Sequence, residues 1–171
     1  MNFLGIDASL RASGITLKST DPQYKLIKPP SKLKGGDRLA YIYNQTENLI
    51  KDINVDLAVM EGPAYGAITK AFSMGEVYGI YKLICSMQNI QLIIVPPLQI
   101  KKYFTGDGSA GKKRMVNRAN TLGYVGTSDD IADSMACSFL AKDVFKDENS
   151  MSTRAALEVV RDLRKKHGFT S

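Results

Sequence analysis

The chain has 171 residues, 44% of them hydrophobic and 23% charged, which suits one domain with a sizeable core. No apolar run approaches the roughly 20 residues of a membrane span, and Met1-Asn2-Phe3 does not open like a secretory signal, so the expected compartment is the cytoplasm. The net charge of +6 points to an anionic partner, while Cys85 and Cys137 read as buried thiols and the lone His167 excludes a Cys/His metal site.

In chain order, residues 2–8 read as a buried strand, and Gly14 to Thr20 as a second one after the link Ser9-Leu10-Arg11-Ala12-Ser13. Tyr24 to Lys28 reads as a third, after the turn Asp21-Pro22, and Pro29-Pro30 ends this antiparallel meander. From Asp37 the period changes. Leu39, Ile42, Tyr43, Thr46, Leu49, Ile50 and Ile53 mark one face of a helix, with Asp37 as a cap or first-turn acid. Asp56 to Glu61 is a buried strand of the parallel type, broken by Gly62-Pro63.

Ile68 to Met87 reads as a long helix carrying Gly75 and Gly79 on one face. Glycine weakens a helix, so the pair suggests close packing on the sheet or on the same helix of a second subunit. Ile90 to Val95 is another buried strand. A short helix from Leu98 to Phe104 follows, then a loop, Thr105 to Gly111, that is mobile or specially shaped. Lys112 to Leu122 is helical. Ser128 caps a helix from Asp129 to about Phe145, and Ser152 to Lys166 forms the last one. Three strands followed by alternating helix and strand give an α/β fold, a mixed sheet with helices on both faces.

Four acids stand out. Asp7 interrupts Phe3-Leu4-Gly5-Ile6, and Glu61 closes Leu57-Ala58-Val59-Met60. Asp130 and Asp133 lie three apart on one helix face, in a stretch otherwise small and apolar. Taken singly, each has a bland account: a strand end, a turn, or first-turn acids that suit the helix dipole, as Asp129 also does. Taken together, strand-end carboxylates and a helical pair suit a cluster holding two divalent cations. Lys101, Lys102, Lys112, Lys113, Arg114 and Arg118 follow, opposed only by Asp107; next to such a cluster they read as phosphate contacts. A second basic group, Arg161, Arg164, Lys165 and Lys166, lies near the C-terminus.

Gly5-Ile6-Asp7-Ala8-Ser9-Leu10-Arg11 with Gly14, Val59-Met60-Glu61, Gly106-Asp107-Gly108-Ser109-Ala110-Gly111-Lys112 and Asp130-Ile131-Ala132-Asp133-Ser134-Met135-Ala136 occur in this order. In these motifs the chain resembles the RuvC-type Holliday junction resolvases of the ribonuclease H-like superfamily, over residues 2 to about 142. The resemblance implies a ribonuclease H-like mixed five-stranded sheet, an antiparallel three-strand meander plus parallel strands, flanked by helices on both faces. It implies a metal tetrad of Asp7, Glu61, Asp130 and Asp133, holding two Mg2+ ions with Mn2+ as a substitute. It implies a catalytic lysine at Lys112, or at Lys113 if the register slips by one, and a second family lysine at Lys101. With Arg11, Lys102, Arg114 and Arg118 these lysines make up the expected DNA contacts.

The chain departs from the family pattern after Glu61, where Tyr65 either stacks on an unpaired base or fills a core or hinge position. Residues 146–171 extend past the resemblance, as a helical extension packed on or appended to the nuclease domain of residues 1–145. Size and divergence fit a phage-encoded member, acting in the host cytoplasm. The expected activity is a homodimeric endodeoxyribonuclease that resolves four-way junctions and other branched DNA, leaving a 5′-phosphate. Rival readings are a ribonuclease H-like nuclease of structured RNA, an actin-like phosphotransferase for which 171 residues leave little room, and a non-catalytic branched-DNA binding module.

Overall fold

The computed structural model describes residues 1–20, 22–63 and 71–169. Asp21 and Tyr65 therefore lie outside the described residues, as do positions 68–70 of the expected long helix. Five strands form one sheet: β1 (Phe3–Asp7), β2 (Ser13–Lys18), β3 (Gln23–Ile27), β4 (Leu57–Glu61) and β5 (Leu92–Val95). Their spatial order is β3-β2-β1-β4-β5. The first three pair antiparallel, and β1, β4 and β5 pair parallel, as expected. The helices are α1 (Gly35–Ile50), α2 (Ala71–Met87), α3 (Pro97–Thr105), α4 (Lys112–Thr121), α5 (Asp129–Lys146) and α6 (Arg154–His167).

Side chains alternate across a strand, so each strand feeds two cores. Leu4, Ile6, Ala58 and Met60 pack with Ile42 and Ile50 of α1 and Val77, Tyr81 and Ile84 of α2. Phe3, Leu57, Val59, Ile93 and Val95 face the other way, against α3, α4, α5 and α6. That same alternation turns Asp7 and Glu61 toward the α5 side. Ile6 pairs with Met60 in parallel register, so the two acids finish neighbouring strands side by side.

The helix ends follow from local chemistry. Ser128 accepts a hydrogen bond from the Ile131 amide, which caps α5 as its sequence predicts. Thr153 caps α6 in the same way, through the Ala156 amide. Asp37 is a first-turn acid and not a cap, since α1 begins at Gly35 with no side-chain cap. Pro97 opens α3, where its missing N–H is harmless, and Gly106 ends it at φ 81°, a left-handed conformation.

α5 lies directly on the sheet. A Cβ on Gly5 would sit 1.9 Å from the Ser134 carbonyl oxygen and 2.4 Å from the Ser138 nitrogen. One on Gly14 would sit 1.9 Å from the Asp130 carbonyl oxygen. Only hydrogen fits at either position. Ser134 and Thr16 share a buried hydroxyl hydrogen bond of 2.8 Å at the same contact. By contrast, among the described residues a Cβ at Gly75 or Gly79 would meet nothing within 4 Å. Packing on the sheet therefore does not account for those two glycines, which are exposed.

Gly14→Ala should destabilise the fold by about 3 kcal/mol, the upper end for overpacking, because backbone must move. Gly36→Ala, where the added Cβ meets nothing within 4 Å, should be neutral or stabilising. Equilibrium urea unfolding of both variants checks the contrast.

Candidate active site

Asp7 and Glu61 project from the ends of β1 and β4, and Asp130 and Asp133 come from the first turns of α5. The electrostatics show that the four are gathered. Burial, then Glu61, Asp133 and Asp130 in that order, raise the Asp7 carboxyl from 3.8 to about 9. Burial and Asp133 raise Glu61 to about 7 against the pull of Lys101. Burial raises Asp133 to about 6, while Lys101 and Lys112 oppose the shift. Asp130 is raised by burial and Asp129, and a side-chain hydrogen bond with Asp7 offsets part of this. Carboxylates buried beside one another disfavour their charged forms, which is the physical cause of the whole pattern.

The donor set fits a hard divalent cation. All four side chains offer oxygen, and Oδ1 of Asp133 is buried with no hydrogen-bond partner. Among the described residues no three Asp, Glu, His or Cys side chains converge closely enough to hold a metal ion as they stand.

The basic residues divide by what they touch. Lys101 and Lys112 both act electrostatically on the cluster. Lys112 is 84% exposed and forms an ion pair with Asp129. Lys112 and Lys113 border an open hollow of about 340 Å³ together with Asn117 and Thr127. Lys102 pairs with Glu158 of α6 at 3.0 Å. Arg114 staples the glycine-rich loop: it pairs with Asp107 at 2.8 Å and donates to the Thr105 carbonyl. Asp107 in turn accepts from the Ser109 amide and hydroxyl. The loop is thus specially shaped by its own contacts. Arg118 donates to the Phe104 carbonyl and to the Met151 sulfur. Arg11 is exposed in the β1–β2 link, where its amide is bonded to the Ser9 hydroxyl. Tyr65 lies outside the described residues.

Tyr78 has no place in the sequence reading. Its hydroxyl donates to the Glu61 carbonyl at 3.0 Å and so ties α2 to the end of β4. Burial and the nearby Glu61 and Asp7 raise its phenol above the ordinary value. A tyrosine on an amphipathic helix carries no sequence signal that it will reach a strand end. Cys85 and Cys137 are free and buried, as read from their apolar surroundings. Among the described residues no helix is long and apolar enough to cross a membrane.

Asp7 titrates near 9 in the folded, metal-free protein and near 3.8 when unfolded. A folded value above the unfolded one means that the folded state holds the extra proton between them. This contribution to stability is complete below the unfolded value and is lost as pH rises through the folded one. Chelated protein should therefore melt at falling temperature as pH rises across that window. Asp7→Asn, with no proton to lose, should show a slope shallower by about one proton. Differential scanning calorimetry across the pH series decides, and identical slopes would contradict the burial of Asp7.

A family model described as crossover junction endodeoxyribonuclease RuvC matches residues 3–140. The crossover junction endodeoxyribonuclease RuvC of Halothermothrix orenii is 32% identical over 148 residues, which is 81% of this chain and 90% of the relative. That of Caldicellulosiruptor saccharolyticus is 30% identical over 147 residues, covering 80% of this chain and 89% of the relative. Among solved structures, T. thermophilus RuvC in complex with a Holliday junction substrate superposes with a TM-score of 0.70 at 16% identity, over 81% of this chain and 90% of that one. The Thermus thermophilus RuvC structure gives 0.68. The structural likeness supports the ribonuclease H-like fold, and the sequence matches carry the kinship. The chain belongs to the crossover junction endodeoxyribonuclease RuvC family.

Proposed function

We propose that this protein is a metal-dependent, structure-selective endodeoxyribonuclease that resolves four-way DNA junctions, and other branched DNA, by paired phosphodiester hydrolysis. The observation that carries this reading is the gathering of four partly buried carboxylates from two strands and one helix, beside two lysines, in a chain of this family. A ribonuclease of structured RNA and a non-catalytic module are not favoured by relatives named as crossover junction endodeoxyribonucleases. Buried acids beside DNA would also weaken a mere binding module.

Asp7, Glu61, Asp130 and Asp133 would hold magnesium, two ions per site, with manganese as a substitute. Bound there, the ions supply Lewis-acid activation of water and charge stabilisation at the phosphate. Asp7 must release its proton to become a ligand. Tyr78 keeps the end of β4, and with it Glu61, in place. Lys112 leaves Asp129 to meet the scissile phosphate, where negative charge builds in the transition state. Lys101 meets the same phosphate or its neighbour. The remaining cations, Arg11, Lys102, Lys113, Arg114 and Arg118, with Tyr65, hold the flanking strand. We treat residues 1–145 as the nuclease domain and 146–171 as its extension. The product carries a 5′-phosphate.

Single-turnover cleavage of a labelled immobile junction at saturating protein tests these roles. Asp7→Asn and Glu61→Gln should abolish cleavage yet leave junction binding intact or tighter, since each also removes a negative charge facing phosphate. Lys112→Ala should slow cleavage by at least ~10²-fold, the loss expected for one transition-state donor. Lys113→Ala should weaken binding and leave the saturated rate unchanged. Cleavage at the parent rate by either carboxylate variant would end the tetrad assignment.

Resolution needs two sites on opposed strands, so the active species is a homodimer. The exposed face of α2 supports this: Phe72 is 93% exposed and Met87 62%, with Leu83 and the open Gly75 and Gly79 between them. An apolar stripe with two positions lacking a side chain suits close helix–helix contact. Gly79→Arg should shift the mass in light scattering from dimer to monomer. A folded variant that stays dimeric puts the interface elsewhere.

A further inference from the structure

The C-terminal basic group of the sequence separates in the structure. Arg164 turns inward, donating to the Val144 carbonyl at 2.5 Å and pairing with Asp147 at 3.2 Å. Arg161, Lys165 and Lys166 remain exposed. Among the described residues none of those three pairs with a carboxylate. Arg154, the first residue of α6, is 94% exposed at its side chain. Arg154, Arg161 and Lys165 fall at spacings of seven and four and share one helix face.

Helix electrostatics explains part of this pattern and fails on the rest. Lys165 and Lys166 sit in the last turn, where cations complement the dipole. Arg161 is in the middle of the helix, and Arg154 is at the N-terminal end, where a cation is disfavoured. The Glu158 partner of Arg154, at 3.3 Å, already serves Lys102 at 3.0 Å. An exposed pair of this kind contributes little to stability. The charges have no evident task within the fold.

Their place is informative. Lys102 follows Lys101, whose charge acts on Glu61 and Asp133. Lys102 in turn reaches Glu158 of α6, so the basic residues of α3 lie next to those of α6. The helix is firmly mounted: Ala156, Val159, Val160 and Leu163 belong to the same core as α5 and α3. From Arg154 to Lys165 the stripe spans about 16 Å, the length of about five base pairs of duplex. It lies beyond residue 140, where the family match ends.

We infer that the exposed face of α6 is a second DNA contact, which holds a duplex arm of the branched substrate at its phosphates, away from the reacting strand. The occupant is DNA because this face adjoins the lysines proposed above to meet phosphate, and because its exposed, unpaired cations Arg161, Lys165 and Lys166 outnumber its acids, Glu158 and Asp162. This inference rests on the branched-DNA reading above.

The test is junction binding without divalent cations, followed by fluorescence anisotropy across a salt series. Parent protein and Arg161→Gln/Lys165→Gln are compared on junctions with long arms and with arms cut to a few base pairs. Matching melting temperatures confirm that the variant folds. On long arms the variant should lose about two phosphate contacts, which makes the slope of log affinity against log salt shallower by about 1.8. A fourfold rise in salt then weakens the variant about tenfold less than the parent. On short arms the two proteins should coincide. An unchanged slope on long arms overturns the inference and leaves the face to a protein partner. An equal difference on short arms also overturns it, because the charges would then act at the junction centre. Failure of the parent to bind any junction overturns the branched-DNA reading itself, a distinct result.

Discussion

The contact on which the rest of the site depends is the seat of α5 on two glycines. Gly5 and Gly14 lie on adjacent antiparallel strands, each facing the backbone of this helix. A side chain at either position would lift α5 off the sheet. Asp130 and Asp133 would rise with it, away from Asp7 and Glu61. The helix is apolar nearly all round because both its sides are covered, by the sheet and by α3, α4 and α6. Close packing fixes its height on the sheet, and the Thr16–Ser134 hydrogen bond helps fix its rotation. The geometry of the carboxylate cluster is a by-product of core packing.

That geometry is costly without a cation. Buried carboxylates repel, and the metal-free protein answers by keeping a proton on Asp7. Protonation of Asp7 relieves part of that repulsion, and a cation held by the proposed tetrad would relieve the rest. Tyr78 and the Ser9–Ser13 turn brace the strand ends against the same repulsion. Asp143 shows the contrast. Unlike the four site acids it is fully buried, and the Tyr103 hydroxyl and the Ser150 amide and hydroxyl satisfy it, so it needs no cation.

Much of this was legible in the sequence. Apolar runs closed by glycine, proline or an acid placed the strands, and helical period and caps placed the helices. Asp7 and Glu61 were visible as acids closing apolar runs, and Ser128 as a cap. Gly5 and Gly14 were visible as part of a motif, but why they must be glycine was not, since that depends on a helix more than a hundred residues away. For Gly75 and Gly79 the sequence left two readings, and the open space beside them removes the sheet. The inward turn of Arg164 and the stapling by Arg114 were also hidden. Basic residues clustered in the sequence look alike until tertiary contacts sort them.

The helix ends sharpen that sorting. Asp129 and Asp130 begin α5, where the dipole favours negative charge, so their position alone would be no argument for catalysis. Lys112, Lys113 and Arg114 begin α4, where the dipole opposes them. The fold gains nothing locally from that order, apart from the Asp107 staple on Arg114. The two starts lie together, and Asp129 answers Lys112 in the absence of nucleic acid. A phosphate arriving there would replace one exposed, screened pair with a stronger anion placed against three cations and the free amides of a helix start. The sequence keeps three residues that weaken α4 by itself, and the structure sets them where a DNA backbone would make them favourable.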